Sequence, residues 1–367
     1  MSMSTYKLIR AKVAFVAHLL PIILGFSTLQ AAPINFDFVF EDEPGTGFFD
    51  PTFGQQAQET LTTAGDIWGR FLPQSFPGET ITVAAQFVDT PPVGIPDTFG
   101  GLGGPIVLSR DFPNSVPDTL YPGALVNHLA REDAFPVGDP FTPTGAEISI
   151  TFNSQKDYFF GTNGTPGANQ LDFLSLALHE IGHGLGFISE LSSDGSFIHG
   201  GPSIYDRFVV DEFGTPITAM TDAERLAAVT DFLGLFWSGE HGVAALDGTR
   251  PGLAAADGVF VPAVSIGHFS EGFFLPLGLG LNDILMLSGG SEEIWVMHTP
   301  DRLTLGVLED IGWNIATPVP EPASWSLFAV GLIGLGLLQW RRGRGKLGSV
   351  FLDQWGGKSL ERIPVKI

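Results

Sequence analysis

The segment Leu171-Asp-Phe-Leu-Ser-Leu-Ala-Leu-His179-Glu180-Ile-Gly-His183-Gly-Leu-Gly186 decides how the rest of the chain is read. Leu174, Leu178, Ile181 and Leu185 follow one another at spacings of four, three and four, which predicts one apolar face of a helix over 171–185, with Gly186 as its stop. On such a helix His179 and His183 project from the same face, so both imidazoles can reach one Zn²⁺. Glu180 then lies beside the metal, where it can take a proton from bound water. The pattern predicts two protein ligands and a general base, and it sends the search for a third ligand elsewhere in the chain.

Immediately downstream the residues run Phe187-Ile188-Ser189, and a serine hydroxyl is a poor zinc ligand. Further on stand Ser265-Ile-Gly-His268, Asn282-Asp-Ile-Leu-Met286 and Leu308-Glu-Asp-Ile-Gly-Trp313. His268 is one candidate for the third ligand, and His199, His241 and Glu271 are its rivals. His128 and His298 read as surface or core histidines. Met286 reads as a core methionine unless it lies in a Met-turn. Asp194, Asp206, Asp211 and Asp283 have no EF-hand-like spacing, so they read as solvated loop residues and give calcium no support.

The order of these elements resembles leishmanolysin, a metzincin family in which an insertion separates H-E-x-x-H-x-x-G-F from its third histidine and that histidine precedes a Leu-Met turn. The glycine of the extended metzincin motif stands at Gly186, and its last position is Ser189. The resemblance runs from about 147 to 313. It implies that His179, His183 and His268 are the zinc ligands, Glu180 the general base, Gly186 the sharp turn and Met286 the Met-turn residue beneath the metal. Because the gap from His268 to Met286 is longer than the family's, Met297 stays open as the alternative. Leishmanolysins are cysteine-rich and carry a propeptide. This chain has no cysteine, so a cysteine-switch latency is excluded, and its first strand begins almost at the expected cleavage site.

Upstream, Phe36-Asp-Phe-Val-Phe40 alternates as a strand, Gln55 to Phe71 has helical spacing through Ala57, Leu61, Ala64 and Trp68, and Ile81 to Val88 is a second strand. A Gly/Pro-rich stretch over 91–143 carries only a short apolar piece at 106–108 and a helical turn at 124–131. Glu147 to Phe152 alternates as a third strand. Beyond Gly186 come a hairpin-like segment at 208–214, a helix opened by the capping box Thr221-Asp-Ala-Glu224, and a last helix expected to start at Thr299-Pro300 and stop at Gly312. The expected fold class is α/β (α+β). It comprises a metzincin-like zinc peptidase domain over 32–316, with a twisted sheet, an active-site helix and an irregular C-terminal subdomain closed by the last helix.

The chain has 367 residues, 44% of them hydrophobic, which is ample for a folded core and excludes a disordered class. With no cysteine, disulfides, thiolate zinc sites and cysteine nucleophiles are excluded. The net charge of −22 is unevenly placed: three basic residues precede Ala31 and seven follow Trp340, leaving 8 basic against 38 acidic residues between them. A body near −30 repels nucleic acid and anionic membrane. Lys7, Arg10 and Lys12 before the apolar run 13–29, with Ala31-Ala32 after it, predict a secretory signal peptide over 1–31.

At the other end Pro320-Glu321-Pro322 leads into the uncharged run 323–340 and then Arg341, Arg342 and Arg344. That pattern predicts one transmembrane helix with a positive inner flank, basic over 341–346. The arrangement resembles the PEP-CTERM sorting signal of Gram-negative bacteria. The resemblance implies an exosortase-type processing partner, an inner-membrane anchor and an exported body that is held there or released to the cell surface or matrix. Residues 347–367 are a tail with no reading. The functional expectation is an exported zinc-dependent peptidase acting on peptide or protein substrates. The alternative is a non-catalytic surface or matrix protein with a structural or degenerate zinc site.

Overall fold

Phe36 and Phe38 alternate along strand β1 (Asn35–Phe40) and lie against Gly65 of helix α1 (Gly54–Phe71), whose Ala57, Leu61, Ala64 and Trp68 are fully buried, while the Phe40 ring meets Phe48 and Phe49. In the computed structural model the described residues are 31–316, except 93–94, 96–98, 256–257, 263, 281 and 288–294. Residues 1–30 of the expected signal peptide, the expected span 323–340 and the tail 347–367 lie outside them. The chain divides after Ala316, and the described residues all belong to the first unit. No helix among them is long and apolar enough to cross a membrane.

Strand β2 (Thr80–Val88) lies parallel to β1, with Asn35 opposite Thr80 and Phe40 opposite Ala85. Then come β3 (Gly101–Pro105), helix α2 (Gly123–Ala130) and β4 (Ile148–Asn153). β4 is parallel to β2 and antiparallel to β3, so the sheet order is β1-β2-β4-β3. The result is a mixed α/β structure, the class the strand and helix periods predict. β3 was not anticipated. Gly-Leu-Gly-Gly-Pro has little intrinsic strand preference, and it is extended because β4 pairs with it and a helix packs on it.

That helix is α3 (Phe173–Gly184). It begins two residues later than its apolar period predicts, because Leu171-Asp172 pairs in parallel with Tyr158-Phe159 and Asp172 is the N-cap, accepting from the Ser175 N–H at 2.9 Å. α1 and α3 pack together, and the Trp68 indole N–H donates to the Leu178 carbonyl at 3.0 Å. Between them and the sheet sits a phenylalanine-rich core in which the Phe152 and Phe173 ring centroids are 4.5 Å apart.

Past α3 the chain is irregular. Strand β5 (Val209–Asp211) and strand β6 (Leu235–Trp237) pair antiparallel around helix α4 (Asp222–Val229), and the capping box is present, with Glu224 N–H donating to Thr221 Oγ1 and Thr221 N–H to Glu224 Oε2. The expected hairpin-like segment 208–214 does turn back on itself, with a short antiparallel bridge between Val210 and Pro216, but the strand that pairs with β5 is β6. Helix α5 (Glu240–Ala245) packs on helix α6 (Arg302–Ile311). The start of α6 corrects the sequence reading: Asp301, not Thr299, is the cap. Its carboxylate accepts from both Leu303 and Thr304 N–H, two bonds that a single hydroxyl two residues earlier cannot make, and Pro300 falls before the cap.

Candidate metal centre

His179, His183 and His268 meet although up to 89 residues separate them, and all three are buried. Their Nε2 atoms lie 3.0 Å (179–268), 3.1 Å (179–183) and 3.2 Å (183–268) apart. Each Nδ1 faces a backbone carbonyl: Leu285 for His179 at 2.7 Å, Phe187 for His183 at 2.8 Å and Val264 for His268 at 3.2 Å. A carbonyl only accepts, so each Nδ1 carries the proton and each Nε2 presents a bare lone pair. Three lone pairs at this separation repel unless a cation sits between them. Imidazole nitrogens held about 2.0–2.1 Å from one tetrahedral ion are about 3.3 Å from each other, so the observed spacing fits a zinc-sized metal with a free fourth position. No other group of three or more such side chains is gathered among the described residues.

Local sequence explains where the helix pair sits, and long-range contacts place His268. α3 ends where Gly186 takes φ +119°, a conformation other residues rarely adopt, and the turn brings the Phe187 carbonyl back to His183. His268 is held by a bond from Ala254 N–H to its carbonyl at 2.8 Å. Two residues earlier Ile266 has φ +68°, a strained backbone for a β-branched residue, and it persists because its N–H donates to Ala254 and its carbonyl accepts from the buried Tyr205 hydroxyl at 2.8 Å. Met286 is fully buried, and a Cβ added at Gly182 would come within 2.8 Å of its sulfur, so it packs directly beneath the turn that carries the two helix histidines. Met297 instead donates its N–H to the Ser175 hydroxyl, near the other end of α3.

Ser189 is turned away from the triad. Its hydroxyl donates to Asp206 Oδ1 at 2.6 Å, and Asp206 Oδ2 accepts from Glu190 N–H, Ser203 N–H and the Ser203 hydroxyl. Asp206, expected to be a solvated loop residue, is instead wholly buried and serves as a knot tying the chain after α3 to the segment before β5, with burial pushing its carboxyl above the ordinary range against those bonds. The rival ligands are elsewhere: His199 is exposed and bonds Glu190 at 2.6 Å, His241 pairs with Glu309 at 3.2 Å, and Glu271 opens the short helix Glu271–Phe274. His128 is buried against Glu79 at 2.8 Å, and His298 bonds Asp172 at 2.9 Å. Asp194, Asp211 and Asp283 each accept bonds within their own turns.

Glu180 is buried beside the triad, and burial pushes its carboxyl up to about 8, partly offset by the Gly103 N–H that donates to it. Burial acts the other way on the imidazoles, lowering His179 to about 4, His183 to about 3 and His268 well below its usual range. Only the neutral ring binds metal, and a histidine at the ordinary value of about 6.5 starts to lose it below pH 7. Here proton competition at the rings begins only as pH falls toward 4. Glu180, neutral below about pH 8 without metal, gives up its proton when a cation binds beside it, so zinc affinity, measured by chelator competition, is expected to fall by at most about tenfold per pH unit below pH 8 and more steeply only where the imidazoles titrate, toward pH 4. A loss well above tenfold between pH 7 and 6 would contradict it.

Several contributors escape sequence reading. Gly101 and Gly103 of β3 lie against Glu180, Tyr205 secures the strained Ile266, and Trp295 meets the His179 ring edge-on at 5.9 Å. The Gly-x-Gly-Gly run was a visible signal for the first two. Nothing local marks the others, because each acts on a residue distant in the chain.

A family model described as SPBPB7E8-like matches residues 119–233, a range that holds α3 and the Asp206 knot and ends before His268. An uncharacterized protein of Schizosaccharomyces pombe, PB7E8.01, is 30% identical over 167 residues, 44% of this chain and 28% of its own length. The chain thus spans little more than a quarter of the curated relative it matches. No solved structure matches. Residues 318–342 match the PEP-CTERM protein-sorting motif. The motif marks an exported protein sorted in association with the membrane, and it implies processing by an exosortase-type enzyme.

Proposed function

We propose that the body is a zinc-dependent peptidase with a metzincin-like fold, in which His179, His183 and His268 hold the metal and Glu180 is the general base. The observation that carries this reading is the convergence of three bare Nε2 atoms 3.0–3.2 Å apart with a buried glutamate on the same helix. Zinc bound there supplies a Lewis acid for a peptide carbonyl, lowers the pKa of an attacking water and favours the ionised form of Glu180. The three backbone carbonyls fix the imidazoles in the tautomer that binds, so no ring has to turn. The Glu180 carboxylate takes the water's proton and passes it to the leaving amine nitrogen. β3 borders this site as an edge strand, unpaired on its outer side among the described residues, and offers backbone groups to an extended peptide. Met286 supports the floor beneath Gly182.

Casein hydrolysis with and without chelator tests the reading. Activity that chelator abolishes and zinc restores is expected. A fully metallated protein that cleaves nothing would overturn it and leave a non-catalytic surface or matrix protein, a reading against which Glu180 argues because a structural site needs no base.

Release from the membrane is a separate expectation. The sorting motif begins at residue 318, after the last described residue, Ala316, so cleavage within Pro318–Pro322 removes no residue of the sheet or of α3. Cleavage near Pro320-Glu321-Pro322 is expected to free a strongly acidic soluble body. Mass spectrometry of the mature C-terminus in a host with the sorting machinery checks it, and an exported protein still carrying Arg341-Arg342 would refute it.

A further inference from the structure

We propose that Gly101 is a positioning residue for Glu180: its missing side chain leaves the space that the Glu180 carboxyl arm fills. The effect on turnover rests on the peptidase reading; the placement itself does not. A Cβ at position 101 would stand 2.8 Å from Glu180 Oε1 and 2.9 Å from its Cγ, closer than real Cβ atoms come to anything. Two residues on, the same face of β3 repeats the feature, because a Cβ at Gly103 would stand 2.2 Å from the Glu180 carbonyl oxygen. Gly103 also donates its N–H to the Glu180 carboxyl. The two glycines therefore have different tasks. Gly103 lets the helix backbone approach the strand, and Gly101 admits the reactive end of the side chain.

Which partner would yield to a methyl group at 101 follows from what is fixed around it. The strand is held on β4, with Gly101 opposite Phe152. Its entry is pinned as well: the Gly100 carbonyl accepts from Asn153 N–H at 3.0 Å and lies 2.8 Å from the Tyr158 hydroxyl, and Asn153 Nδ2 donates to the Phe99 carbonyl at 2.9 Å. α3 is fixed on its other sides. Trp68 holds the Leu178 carbonyl, and Gly182 and Gly184 are packed tightly on Met286 and Ile148. Neither backbone can withdraw, so the free end of Glu180 must move. A base misplaced by about 1 Å costs on the order of 100-fold.

The test compares full-length wild type with Gly101→Ala, Glu180→Ala and the double variant. Crystal structures, zinc content, melting temperature, and kcat and KM on a casein-derived peptide are measured for each. Gly101→Ala is expected to keep one zinc and its melting temperature, to displace the Glu180 carboxyl by about 1 Å with α3 and β3 unmoved, and to lower kcat about 100-fold at unchanged KM. Alanine at 180 lacks the Cγ, Cδ and Oε1 atoms that the new methyl would meet, so it leaves room for it. Adding Gly101→Ala to Glu180→Ala should therefore lower the residual kcat by less than about threefold, a coupling that a merely structural glycine does not produce. A carboxyl that stays in place while β3 shifts, a kcat within about threefold of wild type, equal costs in both backgrounds or a protein that no longer folds would each overturn the proposal. If wild type itself hydrolyses nothing, the peptidase reading falls, and the crystallographic displacement in Gly101→Ala still decides the placement.

Discussion

Glu180→Gln is expected to abolish nearly all hydrolysis while leaving zinc and fold intact. Glutamine has the shape of glutamate and can still receive the Gly103 N–H at its amide oxygen, so the packing between α3 and β3 persists. What it lacks is basicity. Loss of a general base costs about 10² to 10⁴ in rate, and activity within about tenfold of wild type would sink the assignment. Burial holds the carboxyl of zinc-free protein near 8, so its neutral form is the resting one there, and the neutral amide replaces it without introducing or removing a buried charge at neutral pH. The melting temperature of the zinc-free variant is accordingly expected to match or exceed that of wild type. A variant that has lost both zinc and fold would instead mark Glu180 as a structural carboxyl.

The second large effect is on the metal itself. His268→Ala removes one of three lone pairs and should weaken zinc more than about 100-fold, beyond the 10- to 100-fold typical of losing a mere supporting partner. Ser189→Ala should keep one tight zinc, because its hydroxyl is committed to Asp206. The two variants are also expected to differ in stability. Ser189→Ala takes one of four donors from the buried Asp206 and should cost about 1–3 kcal/mol, seen as a lower unfolding midpoint. Metal analysis of both proteins decides the matter: zinc retained by His268→Ala and lost by Ser189→Ala would put the third ligand in the wrong place.

The pair His179 and His183 needs no tertiary information to be recognised, because a four-residue step on a helix puts two side chains on one face whatever surrounds it. The same holds for the buried stripe of Leu174, Leu178, Ile181 and Leu185, for the α1 stripe through Trp68, and for the capping box at Thr221 and Glu224, whose partners lie within one or two turns. His268 was legible only as one candidate among several, since a ligand 85 residues from His183 is marked by no period.

Folding singles it out through contacts no local pattern contains. Ala254 and Tyr205 hold the strained turn at Ile266, and the carbonyls of Leu285 and Val264 orient two of the rings. β3 stayed hidden for the opposite reason. Its glycines weaken any strand signal, and they are there because a helix bearing Glu180 must come within contact distance of the strand. Ser189 shows the same division at one position: its side chain alone rules it out as a good zinc ligand, but its bond to Asp206, a residue 17 places further on, exists only once the chain has folded back, since a buried carboxylate must collect donors from wherever the fold supplies them.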